Sequence, residues 1–345
     1  MNFSKFLLDA FLPDPFRELE NKIKEGCAKS CVELFKLREK EMWENFSLKQ
    51  GKARDWLLQA INCGSRDAIF LYVKHYDSSH TDECVRLLEG LIQSGDNEAS
   101  HLLAKQLLDY RLKIKDVPRA IELYKSLANN GDKTAALILA ESYFNGVHVK
   151  RDFALSLEFL HKSDSESKDV NLLIGQILLA GFSKDGTQTE PSPKNALVHL
   201  LKAANSGPDG CATSQYLAAD LILKNSTFGS VNEAVNLLSR AHKIGIPMAS
   251  FRLCMLYYDG TAIKQDIHRA YFYATITAQR IKRNLVDEMK FNMWSLFGQG
   301  DYLELSTALS QSEKVISELQ AILKMEDLNN IKKLVKNYPD YCYYP

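Results

Sequence analysis

An alanine followed eleven positions later by a glycine recurs along this chain, and this spacing constrains the fold more than any other feature. Between the two residues, apolar side chains fall three, four and seven positions after the alanine, which is the spacing of one face of an α-helix. The glycine stands where helices commonly end in a left-handed residue. The pattern therefore predicts a series of amphipathic helices that each end near a glycine. Its copies are Ala53 and Gly64, Cys84 and Gly95, Ala120 and Gly131, Ala196 and Gly207, and Ala234 and Gly245, with Ser156 and Ser167 as a degenerate copy.

A second pattern precedes these helices and predicts a partner for each of them. Its two best copies are Ala135, Leu139, Ala140, Tyr143 and Gly146, and Ala249, Leu253, Cys254, Tyr257 and Gly260. The small residues in it fall where two helices of a hairpin would cross closely. The first residues of the second helices, at positions 53, 84, 120, 156, 196, 234 and 270, lie 31 to 40 positions apart. A period in this range indicates an array of helix hairpins in which each hairpin contacts its neighbours.

We therefore predict an all-α fold, a right-handed α/α superhelical solenoid of about seven helix hairpins with terminal capping helices. Residues 1–26 are predicted as an N-terminal capping segment, 27–283 as the repeat solenoid, and 284–345 as a C-terminal helical cap with an aromatic tail. The amphipathic start of the chain also fits a helix on a membrane surface, and the tail also fits a docking peptide. The polar stretch from Ser183 to Pro193 is predicted to enlarge the loop of one hairpin.

Together the two patterns resemble the Sel1-like repeat, a relative of the tetratricopeptide repeat. They read Ala-x3-Leu-Gly-x2-Tyr-x2-Gly and then Asp-x3-Ala-x2-aromatic-Tyr-x2-Ala-Ala-x2-Gly. The best copies run from Ala135 to Ser167 and from Ala249 to Ala278, with Asp152 and Asp266 at the aspartate position. The chain departs from the pattern because Gly175 is its one glycine at the fifth position of a first helix. The resemblance implies adaptor roles in signalling, protein quality control and bacterial host interaction, and for some members neutralisation of a secreted toxin.

The charges of the chain balance, with 43 Lys and Arg residues against 43 Asp and Glu residues. No basic excess is present to release counterions from nucleic acid or to hold the chain on an anionic membrane. No apolar run approaches the roughly 18–20 residues of a membrane-spanning helix. The seven cysteines are odd in number and irregularly spaced, so no disulfide framework is predicted. These features favour a cytoplasmic protein whose partner is another protein, with no nucleic acid and no membrane span.

The sequence lacks the local motifs of common catalytic sites. It contains no Gly-x-Ser-x-Gly elbow, no glycine-rich phosphate loop, no Cys-x-x-Cys and no pair of histidines three or four positions apart. Cys27 and Cys31 share a helix face, and two small buried residues explain this spacing better than a metal site does. We therefore predict no enzyme, no cofactor and no metal. A hydrolase acting on β-lactam or cell-wall substrates stays an alternative, because cysteine-rich relatives of this repeat are linked to penicillin binding, although their cysteine pairing is missing here.

The first helices of stacked hairpins line the concave side of such arrays. The positions two, six and nine residues after the first small residue of each first helix are called the first-helix row below. Read from the sequence, the sixth positions are Lys74, Lys105, Glu141, Gln176, Ala219 and Met255, which predicts a surface that changes from charged to apolar. The residues expected to bind a partner are Lys74, Lys105, Glu141, Phe144, Gln176, Met255 and Tyr258. As alternatives, the apolar members fill seams between hairpins and the charged members form a solvated face.

The leading functional hypothesis is a protein-binding scaffold or adaptor that clasps a partner protein in this concave groove. One specific form is a bacterial immunity protein that neutralises a cognate secreted toxin, since blocking a toxin needs surface area and shape rather than chemistry. A regulatory or quality-control adaptor in signalling is the alternative, and a hydrolase is a more remote one. A structural platform that self-associates through its caps is a further hypothesis.

Overall fold

The structure is a computed structural model that describes residues 29, 31–33, 35–36, 50–76, 79–109, 114–182, 190–207, 209–291 and 299–338. Regular structure in these ranges is α-helical. The predicted capping segment at 1–26, most of the predicted loop (183–189) and the aromatic tail (339–345) lie outside them. The predicted division of the chain into cap, repeats and cap stays a prediction.

The numbered helices follow one another along the chain after a helical stretch that contains the buried residues Cys31, Val32 and Phe35. Their bounds are α1 (Gln50–Asn62), α2 (Arg66–Tyr76), α3 (Thr81–Gln93), α4 (Asn97–Leu108), α5 (Val117–Asn129), α6 (Lys133–Asn145), α7 (Phe153–Lys162), α8 (Lys168–Leu179), α9 (Pro193–Ala204), α10 (Ala212–Lys224), α11 (Val231–Ile244), α12 (Pro247–Asp259), α13 (Ile267–Phe291), α14 (Gln299–Ile322) and α15 (Met325–Asn337).

The helices form two compact units, Met1–Leu139 and Ala140–Pro345, whose boundary falls within α6. In the first unit each helix from α1 to α4 packs against the helix that follows it. In the second unit the helices from α7 to α13 pack in the same consecutive way, and α14 and α15 then fold back on α13. Packing between neighbours in sequence is the contact pattern of a helical repeat array. The predicted fold class, an all-α α/α solenoid, is confirmed.

Small residues form the helix crossings in both units. The alanines at the repeat positions have no exposed surface: Ala60, Ala68, Ala99, Ala120, Ala196, Ala234, Ala249 and Ala270. Where the pattern degenerates, Ser156 takes the alanine position, and its buried hydroxyl donates a 2.8 Å hydrogen bond to the Ala140 carbonyl. The small side chain is thus retained, and its polar atom is satisfied inside the core.

The motif aspartates cap the second helices of the hairpins. The Asp152 carboxylate accepts a 3.0 Å hydrogen bond from the Leu155 amide at the start of α7, and Asp266 accepts one of 3.0 Å from the Arg269 amide at the start of α13. The Asp152 amide donates to the carbonyl of Tyr143, at 2.9 Å. An acidic N-cap satisfies amide groups that have no partner inside the helix, which explains the aspartate in the motif.

Gly175 allows α8 to approach α9 closely, and we expect its replacement to destabilise the fold. A Cβ atom at this position would lie 2.8 Å from Cδ2 of Leu200, which is fully buried. Gly175→Ala should therefore lower the free energy of unfolding by about 1–2 kcal/mol, because overpacking outweighs the gain in helix propensity. Gly90, inside α3, has open space around its Cβ position, so Gly90→Ala should raise the same quantity by about 0.5–1 kcal/mol. Urea unfolding of both variants measures these opposite signs, and a stabilised Gly175→Ala variant would contradict the close approach.

Candidate functional site

In the first unit the first-helix row carries two exposed lysines. Lys74 of α2 and Lys105 of α4 lie six residues after the fully buried Ala68 and Ala99, and both residues are exposed beside the hairpin core. Between them in sequence, His101 places its Nε2 atom 2.8 Å from a carboxylate oxygen of Asp132 and its ring against Tyr124. His101, which belongs to the same row as the two lysines, is thus held in place by contacts with the next repeat.

In the second unit the row begins with Glu141 and Phe144 of α6 and continues with Gln176 of α8. Glu141 is solvent-exposed, yet partial desolvation, with a smaller contribution from the charge of Asp169, raises the pKa of its carboxyl group. Gln176 is half-buried. Because burial destabilises the ionised form of Glu141, a cationic group placed beside this carboxylate would stabilise it.

Phe144 is half-buried and belongs to an aromatic cluster at the hairpin turns. Its ring centroid lies 5.5 Å from that of Phe153, which lies 5.0 Å from that of Phe182. Phe144 is thus partly used in packing between turns, and part of its surface stays accessible.

The sequence-based row is wrong by one residue in α10. Ser214 and Ala218 are fully buried and occupy the positions that Ala249 and Leu253 occupy in α12. Ala219 is also fully buried, so it faces the core instead of the row. The row residue at this level is Asp220, with Tyr216 as the preceding member of the row.

Asp220 is the centre of a small charged cluster that the sequence pattern missed. Its carboxylate lies 2.6 Å from Nη2 of Arg252 and 2.7 Å from Nζ of Lys224. The Tyr216 hydroxyl lies 3.5 Å from a carboxylate oxygen of Glu304 on α14. Burial, together with the charges of Glu304 and Asp220, raises the pKa of Tyr216, so the phenol stays protonated and acts as a donor.

Helix α14 covers the apolar end of the row in the second unit. Met255 packs in a cluster with Phe251, Leu305 and Ala308. The Tyr258 hydroxyl donates a short hydrogen bond to the Glu318 carboxylate, and this bond is the main cause that raises the Tyr258 pKa. Met255 and Tyr258 are therefore half-buried by the chain itself, and the row surface left for a partner at this level is correspondingly smaller.

A cavity of about 400 Å³ stays open beside this covered segment, between α12 and α14. It is an open pocket whose walls combine apolar, charged and neutral polar side chains. The lining residues are Met248, Phe251, Arg252, Glu304, Thr307, Ala308 and Gln311.

The described residues offer little for metal or thiol chemistry. In the ranges given above, no group of three or more His, Cys, Asp or Glu side chains is arranged to hold a metal ion. Burial raises the pKa of the Cys254 thiol to about 12, so this cysteine stays protonated as a packing residue. Among the helices described, none combines the length and the apolar composition required to cross a bilayer.

Comparison with known proteins finds Sel1 repeats in the segments where the sequence pattern predicts helix hairpins. The Sel1 repeat family matches residues 49–65, 97–132, 134–163, 174–208 and 247–280. Among solved structures, a Sel1 repeat protein from Oxalobacter formigenes has a TM-score of 0.53 and 16% identity, covering 83% of this chain and 92% of that chain. A protective antigen with an SLR fold, c5321 from uropathogenic Escherichia coli, has a TM-score of 0.34 and 15% identity, covering 94% of each chain. No curated protein matched significantly.

The family matches fall on the observed helices. Residues 97–132 contain α4 and α5, and residues 247–280 contain α12 and most of α13. The structure from Oxalobacter formigenes shares the fold. The chain carries five Sel1 repeats.

Proposed function

We propose that this protein is a non-enzymatic scaffold that binds a partner protein through the first-helix rows of its two units. The observation that carries the proposal is the set of charged side chains on these rows, Lys74 and Lys105 in the first unit and Glu141 and Asp220 in the second. These positions alternate with the fully buried alanines of the crossings, and Lys74, Lys105 and Glu141 among them are solvent-exposed. Sel1-repeat proteins generally act as protein-interaction scaffolds.

The test begins with affinity purification of the tagged protein from its native host and identification of the protein that co-purifies in stoichiometric amount. Binding of that purified partner is then measured by calorimetry with the double variant Lys74→Glu/Lys105→Glu. We expect the dissociation constant to rise at least about tenfold, because charge reversal on a contact surface costs about 1.4 kcal/mol or more.

The matched control is the double variant Lys125→Glu/Lys194→Glu, which makes the same change in net charge on the second helices α5 and α9. Its affinity should stay within about twofold of the original protein, because rim and remote charges contribute little. Equal losses in both double variants would show that the first-helix row is not the contact surface.

A narrower form of the proposal is a cytoplasmic immunity protein that neutralises a secreted toxin. Its support is the family resemblance and a charged row repeated over several hairpins, which suits an interface of about 800 Å² per partner. The measurement is survival of cells that co-express each neighbouring toxin gene with this chain. Unchanged killing by every such toxin would remove the narrower form and leave the scaffold proposal standing. A regulatory or quality-control adaptor is the alternative in that case.

A further inference from the structure

We propose that the cavity between α12 and α14 binds a lysine or arginine side chain of the partner protein. This inference rests on the proposed scaffold function and names the chemistry of one contact. The cavity is formed within the second unit, next to the row residues Phe251 and Met255. It is distinct from the charged positions Lys74 and Lys105 on which the proposed function is tested.

The floor of the cavity suits the aliphatic part of a long side chain. Phe251 and Ala308 are 7% and 1% exposed, and Met248 packs in the same cluster. Lysine and arginine bury their methylene groups against such apolar surface while the charged end stays near polar atoms. Burial of methylene groups against this apolar floor therefore contributes to the binding free energy in addition to any charge interaction.

The anionic group of the cavity is Glu304. Its described contact is the 3.5 Å approach of the Tyr216 hydroxyl, and it takes part in no ion pair with the side chains that the structure describes. A cation that enters the cavity would meet this carboxylate beside two neutral polar residues of the lining, Thr307 and Gln311. Charge-assisted hydrogen bonds of this kind are about twice as strong as neutral ones.

The cationic group on the opposite wall, Arg252, forms an ion pair with Asp220, while its Nε atom is buried without a hydrogen-bond partner among the described residues. Its Nη2 atom lies 2.6 Å from the Asp220 carboxylate, which is 14% exposed. The second cation on Asp220, Lys224, has 66% of its side chain exposed, so solvent screens its charge. The wall of α12 thus presents a charge that is paired with Asp220, whereas Glu304 on the wall of α14 is solvent-exposed and forms no ion pair with the side chains that the structure describes. This asymmetry favours a basic ligand over an acidic one.

The experiment uses the full chain with 13C-labelled methionine methyl groups and the probes N-acetyl-lysine methylamide and N-acetyl-arginine methylamide. The Met248 resonance, assigned through Met248→Leu, should shift and saturate with both probes. The Met325 resonance should not move, because this residue is 69% exposed on α15 and lies outside the cavity lining. N-acetyl-norleucine methylamide and N-acetyl-glutamate methylamide serve as the apolar and acidic comparison probes.

Glu304→Gln should weaken binding of the basic probes about tenfold, the effect of losing one charge-assisted hydrogen bond. The control Glu313→Gln alters a carboxylate on the same helix that pairs with Lys282 at 2.7 Å, and it should bind the probes as the original chain does. Retained affinity in Glu304→Gln would overturn the proposal.

Three further outcomes would also overturn it. Equal binding of the norleucine probe would show an apolar pocket, and preferred binding of the glutamate probe would assign the pocket to Arg252 and an acidic ligand. A Met248 shift that depends on protein concentration without any probe would indicate a second copy of the chain as the occupant. None of these results bears on the Lys74 and Lys105 test, so failure of this inference and failure of the scaffold proposal are distinguishable.

Discussion

Acidification from pH 7 to pH 4 is expected to lower the free energy of unfolding by about 3 kcal/mol through His242 alone, at about 1.4 kcal/mol per pH unit. Burial, then the charges of Arg280 and Lys243, lower the pKa of this imidazole from its ordinary value of 6.5 to about 3. Between pH 6.5 and about pH 3 the His242 imidazole is protonated in the unfolded chain and neutral in the folded protein. Stability attributable to His242 is therefore complete above pH 6.5 and is lost as the pH falls towards 3.

The surroundings of His242 explain why its neutral form is held. Its Nδ1 atom lies 2.8 Å from Oγ of Ser250 and 3.3 Å from Nη1 of Arg280, which also donates to the His242 carbonyl at 2.9 Å. A guanidinium donor facing Nδ1 leaves no room for a proton on that atom. The rings of Tyr273 and Tyr338 close the remaining sides, at 4.9 and 5.1 Å between centroids.

Urea unfolding at several pH values, followed by circular dichroism, measures this effect against the variant His242→Gln. The amide oxygen of glutamine can accept a hydrogen bond from Arg280 but does not titrate. Between pH 6.5 and 4, the free energy of unfolding of the variant should therefore depend less steeply on pH than that of the original protein. Other carboxylates with lowered pKa values, such as Glu83, contribute equally to both proteins. Parallel stability curves over this pH range would contradict the assignment to His242.

The second large effect is expected from Gly210→Ala, which should cost about 3 kcal/mol or more, or prevent folding of the second unit. Gly210 has a φ of +64°, and a Cβ atom there would lie 2.0 Å from the carbonyl oxygen of Ala204. That oxygen cannot move away freely, because it accepts hydrogen bonds from Gln215 Nε2 at 3.2 Å and from Arg240 Nη2 at 2.7 Å. The substitution therefore combines backbone strain with a clash against a fixed atom.

Gly207→Ala is the matched control for Gly210→Ala. Gly207 lies in the same connection with a φ of +73°, yet the space around its Cβ position is open. Its replacement should cost only the left-handed strain of an alanine, about 1–2 kcal/mol. The measured quantity is the difference in unfolding free energy between the two variants. Equal costs would show that the contact with the Ala204 carbonyl does not limit the residue at 210.

The hairpins were predictable because close helix crossings require small residues, which recur at regular positions in the sequence. Among the residues whose burial the structure describes, the alanines of the pattern are fully buried, and the predicted terminal glycines have left-handed backbone conformations, as at Gly245, which caps α11 with a φ of +114°. Both signals arise from local backbone geometry and close packing, and each recurs with every repeat. The sequence repeat was therefore sufficient to predict the helical fold and the exposure of Lys74 and Lys105.

The candidate site was less predictable, for two physical reasons. In α10 the row was counted from Thr213, but the crossing is made by Ser214 and Ala218, so the pattern was shifted by one residue and Ala219 replaced Asp220 on the row. The cover over Met255 and Tyr258 comes from α14, which lies outside the repeats and whose packing partners no period reveals. Glu304, Tyr216 and Arg252 meet only through that long-range contact.

Helix α14 also fixes where the array of the second unit stops. A further hairpin added after α13 would need the same side of α12 and α13 that Leu305, Ala308 and Val315 now occupy. Lengthening by duplication of a terminal repeat is therefore blocked at this end unless the helix is first displaced. Natural variation in repeat number among close relatives of this chain should accordingly fall before α12, and their final hairpin should keep a constant length.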